Sequence, residues 1–351
     1  MKKEKTFVAF FIRMLNELTI KFLFPVLLLA SCARQSSEEI IMTVKGPLPA
    51  AKAGVWLTHE HILVDFTGAD SIRQDRYERT TVIKKVLPFL REAVEKGCKT
   101  FAECTPEYLG RDPLLLRMLA DSTGLNILTN TGFYGAVHNK YIPSSAFSLS
   151  SEQLSQIWTE EWEEGIVNTG IKPGFIKISV ERDSLSDFHR RLVRAAAITH
   201  LKTGLVIASH TGPSLPAFQQ LEVLEEEGVS PEAFIWVHAQ AEKDAGVLCR
   251  AASKGAWISI DNLNENNIDG FISLLKAVKE KGCLDKVLIS HDAGWYDPVK
   301  KDGGDFRGFA TLSEKLIPEL KKNGFTTADI RQVIEINPSE AFAVRIRKLK
   351  R

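Results

Sequence analysis

Short apolar runs alternate with longer amphipathic stretches along most of this chain. Eight runs have the length and character of strands: Val55–Leu57, Thr100–Cys104, Asn126–Asn130, Gly174–Ile178, Leu205–Ser209, Phe234–Val237, Ala256–Ile260 and Lys286–Ser290. Between them, apolar residues recur at helical spacing in Thr80–Lys96, Asp112–Ser122, Glu152–Asn168, Ser186–Lys202, Leu215–Glu227, Asp244–Lys254 and Ile268–Lys281. Several of these stretches end in a glycine just before the next run (Gly97, Gly228, Gly255, Gly282), the usual stop signal of a helix. Strand–helix alternation predicts a parallel sheet, and eight units predict closure into an α/β fold of the (β/α)8 TIM-barrel kind. An open doubly wound sheet would want a glycine-rich loop after its first strand, where this chain has Thr58-His59-Glu60-His61. No linker divides the units, so residues 51–351 read as one catalytic domain.

The first 32 residues read differently. Lys2, Lys3 and Lys5 precede the apolar stretch Phe7–Ile12, and Lys21 precedes a second, Phe22–Ala30. The second stretch is too short to span a bilayer and suits the core of a secretion signal. It ends Leu29-Ala30-Ser31-Cys32, which resembles the lipobox of bacterial lipoproteins, where the cysteine carries the lipid. A signal cut by an ordinary peptidase, or a start at Met14, is the alternative. Residues 33–50 read as a short tether. The expectation is an exported bacterial lipoprotein on the periplasmic or cell-surface side, touching the membrane only through its lipid.

The balance of 45 Lys plus Arg against 44 Asp plus Glu removes the electrostatic case for nucleic acid or an anionic membrane surface as partner. Cys98, Cys104, Cys249 and Cys283 form no CxxC pair and read as free, buried thiols.

Polar residues that metals favour cluster at the C-terminal ends of the strand runs, the end where barrels build their active sites. His59 and His61, two apart on one strand, face the same side. Lys177 sits among Phe175, Ile176 and Ile178, where an ammonium is costly. Burial favours the neutral amine, which can take up carbon dioxide as a carbamate that bridges two cations. Snorkelling, or an ion pair with Asp292, is the alternative. His210, His238 and Asp292 end later strands. Together these six residues supply ligands for two adjacent divalent ions, zinc first by donor type, with manganese, cobalt or iron also compatible.

Taken with Cys104-Thr105-Pro106, Gly110-Arg111-Asp112, Thr131-Gly132-Phe133-Tyr134, Ser209-His210-Thr211-Gly212 and Asn337-Pro338, these motifs resemble the phosphotriesterase-like family of the amidohydrolase superfamily, which includes aryldialkylphosphatases and lactonases. The resemblance runs from about Gly54 to the C-terminus. It implies that His59, His61 and Asp292 hold a buried metal, that His210 and His238 hold an exposed one, and that carboxylated Lys177 bridges both. It implies further that a bridging hydroxide attacks the substrate and that Asp292 takes its proton. Homodimers are common among such relatives.

Two stretches depart from the family's efficient phosphotriester hydrolases, which carry a histidine after strand seven and an acid after the strand-six ligand. Here they read Asp261-Asn262 and His238-Ala239-Gln240-Ala241. That favours a lactone or related ester as the small-molecule substrate over a phosphotriester or phosphodiester. A non-catalytic, metal-containing binding protein is the remaining alternative. Substrate contacts are expected from Tyr134 and Arg111. His138, Lys140, Tyr141, Trp295, Tyr296, Lys300, Lys301 and Arg307 are the further aromatic and cationic loop residues that could seat an anionic group. His189, His200 and His291 read as structural, and the basic tail Arg345–Arg351 as a solvated helix end.

Overall fold

A computed structural model describes residues 39–350. The expected signal segment 1–32 with Cys32, and the tether as far as residue 38, lie outside the described residues. The rest of the expected tether belongs to the domain. β1 (Ile40–Thr43) and β2 (Gly46–Pro49) form an antiparallel hairpin. Ile41 and Val44 are buried, and Val44 N–H donates to the Ile127 carbonyl at 2.8 Å. The apolar run Ile40–Met42 has more to gain under the barrel than in water, which outweighs the polar character of its flanks.

The barrel follows in chain order. β3 (Val55–Leu63), α1 (Arg79–Glu95), β4 (Cys98–Glu103), α2 (Pro113–Thr123), β5 (Asn126–Leu128) and β6 (Asn130–Thr131) make its first part. α3 (Ser151–Glu164), β7 (Phe175–Ser179), α4 (Asp187–Thr203), β8 (Ile207–His210), α5 (Ser214–Glu226) and β9 (Phe234–Val237) come next. α6 (Ala245–Lys254), β10 (Trp257–Ile260), α7 (Ile268–Glu280), β11 (Val287–Ile289) and β12 (Gly294–Tyr296) complete it. All barrel pairings are parallel, in the orders β12-β3-β4-β5 and β6-β7-β8-β9-β10-β11. β5 and β6 are two pieces of one barrel strand, separated only by Thr129, which joins the two sheets. Side chains close the ring. Thr58 Oγ1 donates to the Ile289 carbonyl at 3.3 Å, and His59 N–H donates to Ser290 Oγ at 2.9 Å.

Alternation along the strands sorts the interior into layers. Phe175 packs edge-on against Phe342, and Trp56 stacks on the same ring, with centroids 5.4 and 5.2 Å apart. These aromatics plug the N-terminal end, so Lys177, two residues beyond Phe175, faces the layer above. Gly132 lets the end of β6 approach that strand: a Cβ there would lie 2.2 Å from the Lys177 carbonyl oxygen.

The expected elements are present with shifted edges. The first strand continues to Leu63, so both of its histidines lie within it. The helix expected to reach Asn168 stops at Glu164, because Gly165 and Val167 turn the backbone to φ 97° and 46°. Cys249 and Cys283 are not free thiols; they form a disulfide with Cα atoms 5.6 Å apart, within the bridging range. The spacing reading missed it because α6 and the end of α7 meet only in the folded ring. Cys98 and Cys104 are free and buried. The basic tail is no solvated helix end. Arg347 is buried, its Nη2 donating to the carbonyls of Glu340, Ala341 and Ala343 at 2.8–3.1 Å. Its N–H donates to His200 Nε2 at 2.9 Å. Among the described residues no helix is long and apolar enough to cross a membrane.

Candidate metal centre

Strand ends deliver all six expected ligands to one buried spot at the C-terminal mouth. His59 and His61 come from β3, Lys177 from β7 and His210 from the end of β8, while His238 directly follows β9 and Asp292 stands three residues beyond the end of β11. His238 and Asp292 sit at φ 60° and 51°, backbone that non-glycine residues rarely adopt and that clusters at functional sites.

Hydrogen bonds fix which nitrogen of each ring faces inward. Asp261, at the end of β10 and fully buried, accepts from Nδ1–H of both His59 (3.0 Å) and His238. His61 Nδ1–H donates to Thr105 Oγ1 at 2.7 Å, and that hydroxyl donates to Glu103 Oε1 at 2.6 Å. The Nε2 lone pairs of all three rings are therefore left for the centre. There, His61 Nε2 lies 3.1 Å and His59 Nε2 3.7 Å from Asp292 Oδ1, and His238 Nε2 lies 4.0 Å from Asp292 Oδ2. Lys177 Nζ is 3.4 Å from His59 Nε2, and no carboxylate among the described residues pairs with it. The alternative ion pair with Asp292 is thus not formed. A tetrahedral site with ligand bonds of about 2.0–2.1 Å has edges of about 3.3 Å, so the spacings among His59, His61 and Asp292 are those of groups that could share one ion. Asp261 is set apart: both its oxygens point at Nδ1 atoms, so it orients ligands and is not one of them.

The electrostatics match a site built for cations. Burial, then the Lys177 charge, pushes the His59 pKa down to about 4. Burial, His238 and Lys177 hold His210 well below the usual imidazole range. Burial opposes the charged form of His238, yet the Asp261 carboxylate raises its pKa. Asp292 and Asp261 would be raised by burial, but the neighbouring histidines hold both below the usual carboxylate range.

The phosphotriesterase family model matches residues 39–342. The chain belongs to the phosphotriesterase family. It is 27% identical to the phosphotriesterase homology protein of Escherichia coli K12 over 293 residues, 82% of this chain and 98% of that one. It is also 27% identical to an aryldialkylphosphatase of Saccharolobus solfataricus over 317 residues, 85% and 98% of the two chains. The solved organophosphorus hydrolase of Deinococcus radiodurans superposes with a TM-score of 0.77 at 26% identity, covering 88% of this chain and 98% of that one.

For this phosphotriesterase-family hydrolase, the two expected substrate contacts part company. Tyr134 lies at the centre, its hydroxyl 3.0 Å from His210 Nδ1. Arg111 does not reach the metal pocket. Its guanidinium is 2% exposed, forks onto Glu161 at 2.8 and 2.5 Å, and donates to the Asn130 carbonyl at 2.7 Å. It fastens α3 to the barrel wall. Trp295 lines the pocket, Arg307 lies over the Trp295 ring without lining the pocket, and Lys300 and Lys301 are exposed. His189, His200 and His291 bond to the protein itself.

The sequence reading missed the residues behind the ligands. Asp261 was weighed only for its neighbour Asn262, although it is an acid at an inward position of a strand end. Glu60, opposite in pleat to His59 and His61, accepts from Ser290 Oγ at 2.7 Å and from the backbone N–H groups of His291 at 3.0 Å and Ala293 at 2.9 Å. It clamps the backbone that carries Asp292.

Proposed function

We propose that this hydrolase opens a lactone or related carboxylic ester at the centre just described. His59, His61 and Asp292 would hold one divalent ion and His210 and His238 a second, with Lys177, as its carbamate, between them. The donor set suits zinc, and manganese, cobalt or iron would also fit. Bound there, two such ions supply Lewis acidity toward a carbonyl oxygen and an activated water. Every donor comes from one chain, so the reading needs no partner subunit.

The protein's own groups do the rest. Asp261, Thr105 and Glu103 keep three imidazoles turned inward. Asp292 is the carboxylate at the pocket floor whose oxygens face the centre, positioned to accept a proton from the attacking water. The Tyr134 hydroxyl is near enough to the His210 side to orient a carbonyl oxygen. Val64, Phe66, Leu109 and Trp295 give an apolar wall to a cavity of about 110 Å³.

What carries the ester reading is the absence of an onward relay. Asp261 is occupied by two imidazoles, and Gln240 exchanges hydrogen bonds with it at 3.0 and 3.1 Å. Asn262 cannot titrate. A ring-opening lactone keeps its leaving group tethered and asks least of such a relay. The test is proton release by zinc-reconstituted protein across lactones, carboxylic esters and phosphotriesters, with Asp292→Asn as control. Turnover confined to lactones or esters supports the reading. Strong phosphotriester turnover replaces it with the phosphoester alternative, and silence with two metals bound favours a binding protein.

We also propose export and lipid attachment at Cys32. The Cys249–Cys283 disulfide supports an oxidising compartment. Wild type should pellet with membranes and Cys32→Ala should not; a soluble wild type refutes the anchor.

A further inference from the structure

Both ends of the described chain lie on the N-terminal end of the barrel, opposite the metal centre. The chain enters at Glu39, whose carbonyl accepts from Ala50 N–H at 2.8 Å and whose carboxylate pairs with Arg345 at 2.6 Å. The tail crosses the same end as a strap held by its backbone. Val344 N–H donates to the Ile40 carbonyl at 2.8 Å, and Arg345 N–H to the Gly204 carbonyl at 3.0 Å. Ser230 N–H donates to the Arg347 carbonyl at 3.0 Å, and Leu349 N–H to the Gly228 carbonyl at 2.8 Å. Gly204, Gly228 and Ser230 stand just ahead of β8 and β9, so the strap lies flat where strands begin.

Arg347 is the side chain that the strap sends inward. Ile346, Lys348, Leu349 and Lys350 stay outside, with Ile346 50% and Leu349 41% exposed. Apolar side chains between lysines suit a lipid interface, where the hydrocarbon sinks and the ammonium groups rise to the headgroups. Neutrality of the whole chain does not oppose such a contact, because it rests on apolar burial.

Chain length supplies an independent constraint. Cys32 stands seven residues before Glu39, a reach of at most about 25 Å when fully extended. α1, with 17 residues, runs about 25 Å along the outside of the barrel. A tether rooted beside the strap uses its whole reach in passing one outer helix, and the loops of the mouth rise beyond that. The mouth therefore cannot be turned onto a membrane that holds Cys32, whereas the strap face can.

We propose that the N-terminal end of the barrel, with Ile346 and Leu349 at its surface, lies against the bilayer that holds Cys32. The inference rests on the lipid attachment proposed above and goes beyond it. The metal pocket then opens away from the membrane, and its substrates are water-borne esters, not lipids drawn from the bilayer.

Two labelled proteins test it. Lys348→Cys marks the strap, and Val299→Cys marks the mouth, three residues beyond β12 and 62% exposed. Native thiols do not compete for the label, since Cys249 and Cys283 are paired and Cys98 and Cys104 are buried. Each full-length, lipidated variant carries a nitrobenzoxadiazole dye. It is placed on vesicles of phosphatidylethanolamine and phosphatidylglycerol that hold a doxyl-labelled lipid as quencher. The strap label, within about 10 Å of the headgroup boundary, should lose about half of its emission or more, while the mouth label keeps its own. Quenching of the mouth label, or equal quenching of both, overturns the proposal. If neither is quenched on protein that stays with the vesicles, the strap stands clear or is covered by a second copy, and the proposal is wrong. Failure of the anchor shows separately, as protein without lipid in mass spectrometry. A Cys32→Ala, Lys348→Cys protein on the same vesicles then decides. Quenching there, abolished by Leu349→Glu, upholds the docking face, and its absence refutes it.

Discussion

Replacing Asp261 by asparagine changes one atom and should disable the centre from behind. The carboxylate accepts five hydrogen bonds. His238 Nδ1–H and Gln240 Nε2–H go to Oδ1, and His59 Nδ1–H, the His238 N–H and the Ser259 hydroxyl go to Oδ2. An amide keeps one acceptor oxygen and turns an NH2 toward the other cluster. Whichever way it rotates, one imidazole N–H meets another donor in a spot with no exposure. Two relaxations are open. The ring can keep its tautomer with an unsatisfied buried donor, at about 1–3 kcal/mol. Alternatively the proton moves to Nε2, and the centre loses a ligand. Loss of such an orienting partner typically weakens metal affinity about 10- to 100-fold, or about 1.4–2.7 kcal/mol. Because Asp261 serves a histidine of each proposed ion, both should weaken together. The assay is metal retained per chain against a graded chelator, for wild type and Asp261→Asn, with circular dichroism confirming an intact barrel. A variant that retains both ions with wild-type affinity would refute the orienting role. Loss of one ion alone would show that the shared carboxylate does not couple the two.

Three further outcomes follow from other parts of the molecule. His200 donates Nδ1–H to the Leu205 carbonyl at 2.8 Å and accepts at Nε2 from Arg347, so only the neutral ring fits, and burial lowers its pKa from 6.5 to about 4. The unfolded chain therefore takes up a proton first. The stability advantage of wild type over His200→Gln is full above about pH 6.5 and is lost as pH falls toward 4, by up to about 3 kcal/mol. Chemical denaturation at several pH values measures it, and a pH-independent difference contradicts it. Arg111→Met leaves Glu161 without its buried partner and should cost about 3 kcal/mol in denaturation while KM stays put; a large rise in KM would restore Arg111 as a substrate contact. Cys249→Ser opens a disulfide joining residues 34 apart and should lower stability by about 4 kcal/mol on the loop-entropy model, an effect that reductant should reproduce in wild type but not in the variant.

The barrel was legible because its signal is periodic. Val, Ile and Phe runs bounded by glycine specify each unit locally, and eight such units leave few closures. The ligands were legible because each lies in such a run or just after it. What escaped is non-local. The Cys249–Cys283 pair depends on where α6 and α7 settle, and the Arg111–Glu161 fork on α3 crossing the wall. The hairpin at Ile40–Pro49 was hidden by its position next to a polar stretch. The tail was hidden too, since charge counts cannot anticipate that Arg347 finds three carbonyls in the protein interior. Asp261 escaped for a different reason: a comparison that asks only which acids are missing overlooks the one that is present.

Glu60 extends that lesson, because His59-Glu60-His61 works on both faces of one strand. The pleat sends the two imidazoles inward and the carboxylate outward, where it grips the backbone on either side of Asp292. Burial would raise the Glu60 pKa, but His291 and the donors around it hold it below the usual range, so it is a carboxylate with four bonds to keep. Glu60→Gln keeps the size and places an NH2 against either the Ala293 N–H or the cluster at Ser290 and His291. The loop should relax, and Asp292, held at φ 51°, is the residue with most to lose by relaxing. The expected result is a fall in kcat of about tenfold or more with KM little changed, although the Glu60 side chain bonds to no metal ligand and does not line the pocket. An Asp292 displaced through its backbone should also weaken the ion it shares with His59 and His61 more than the one at His210 and His238. If Glu60→Gln lowers only thermal stability and leaves both kcat and metal retention intact, the clamp is structural alone and the coupling argued here is wrong.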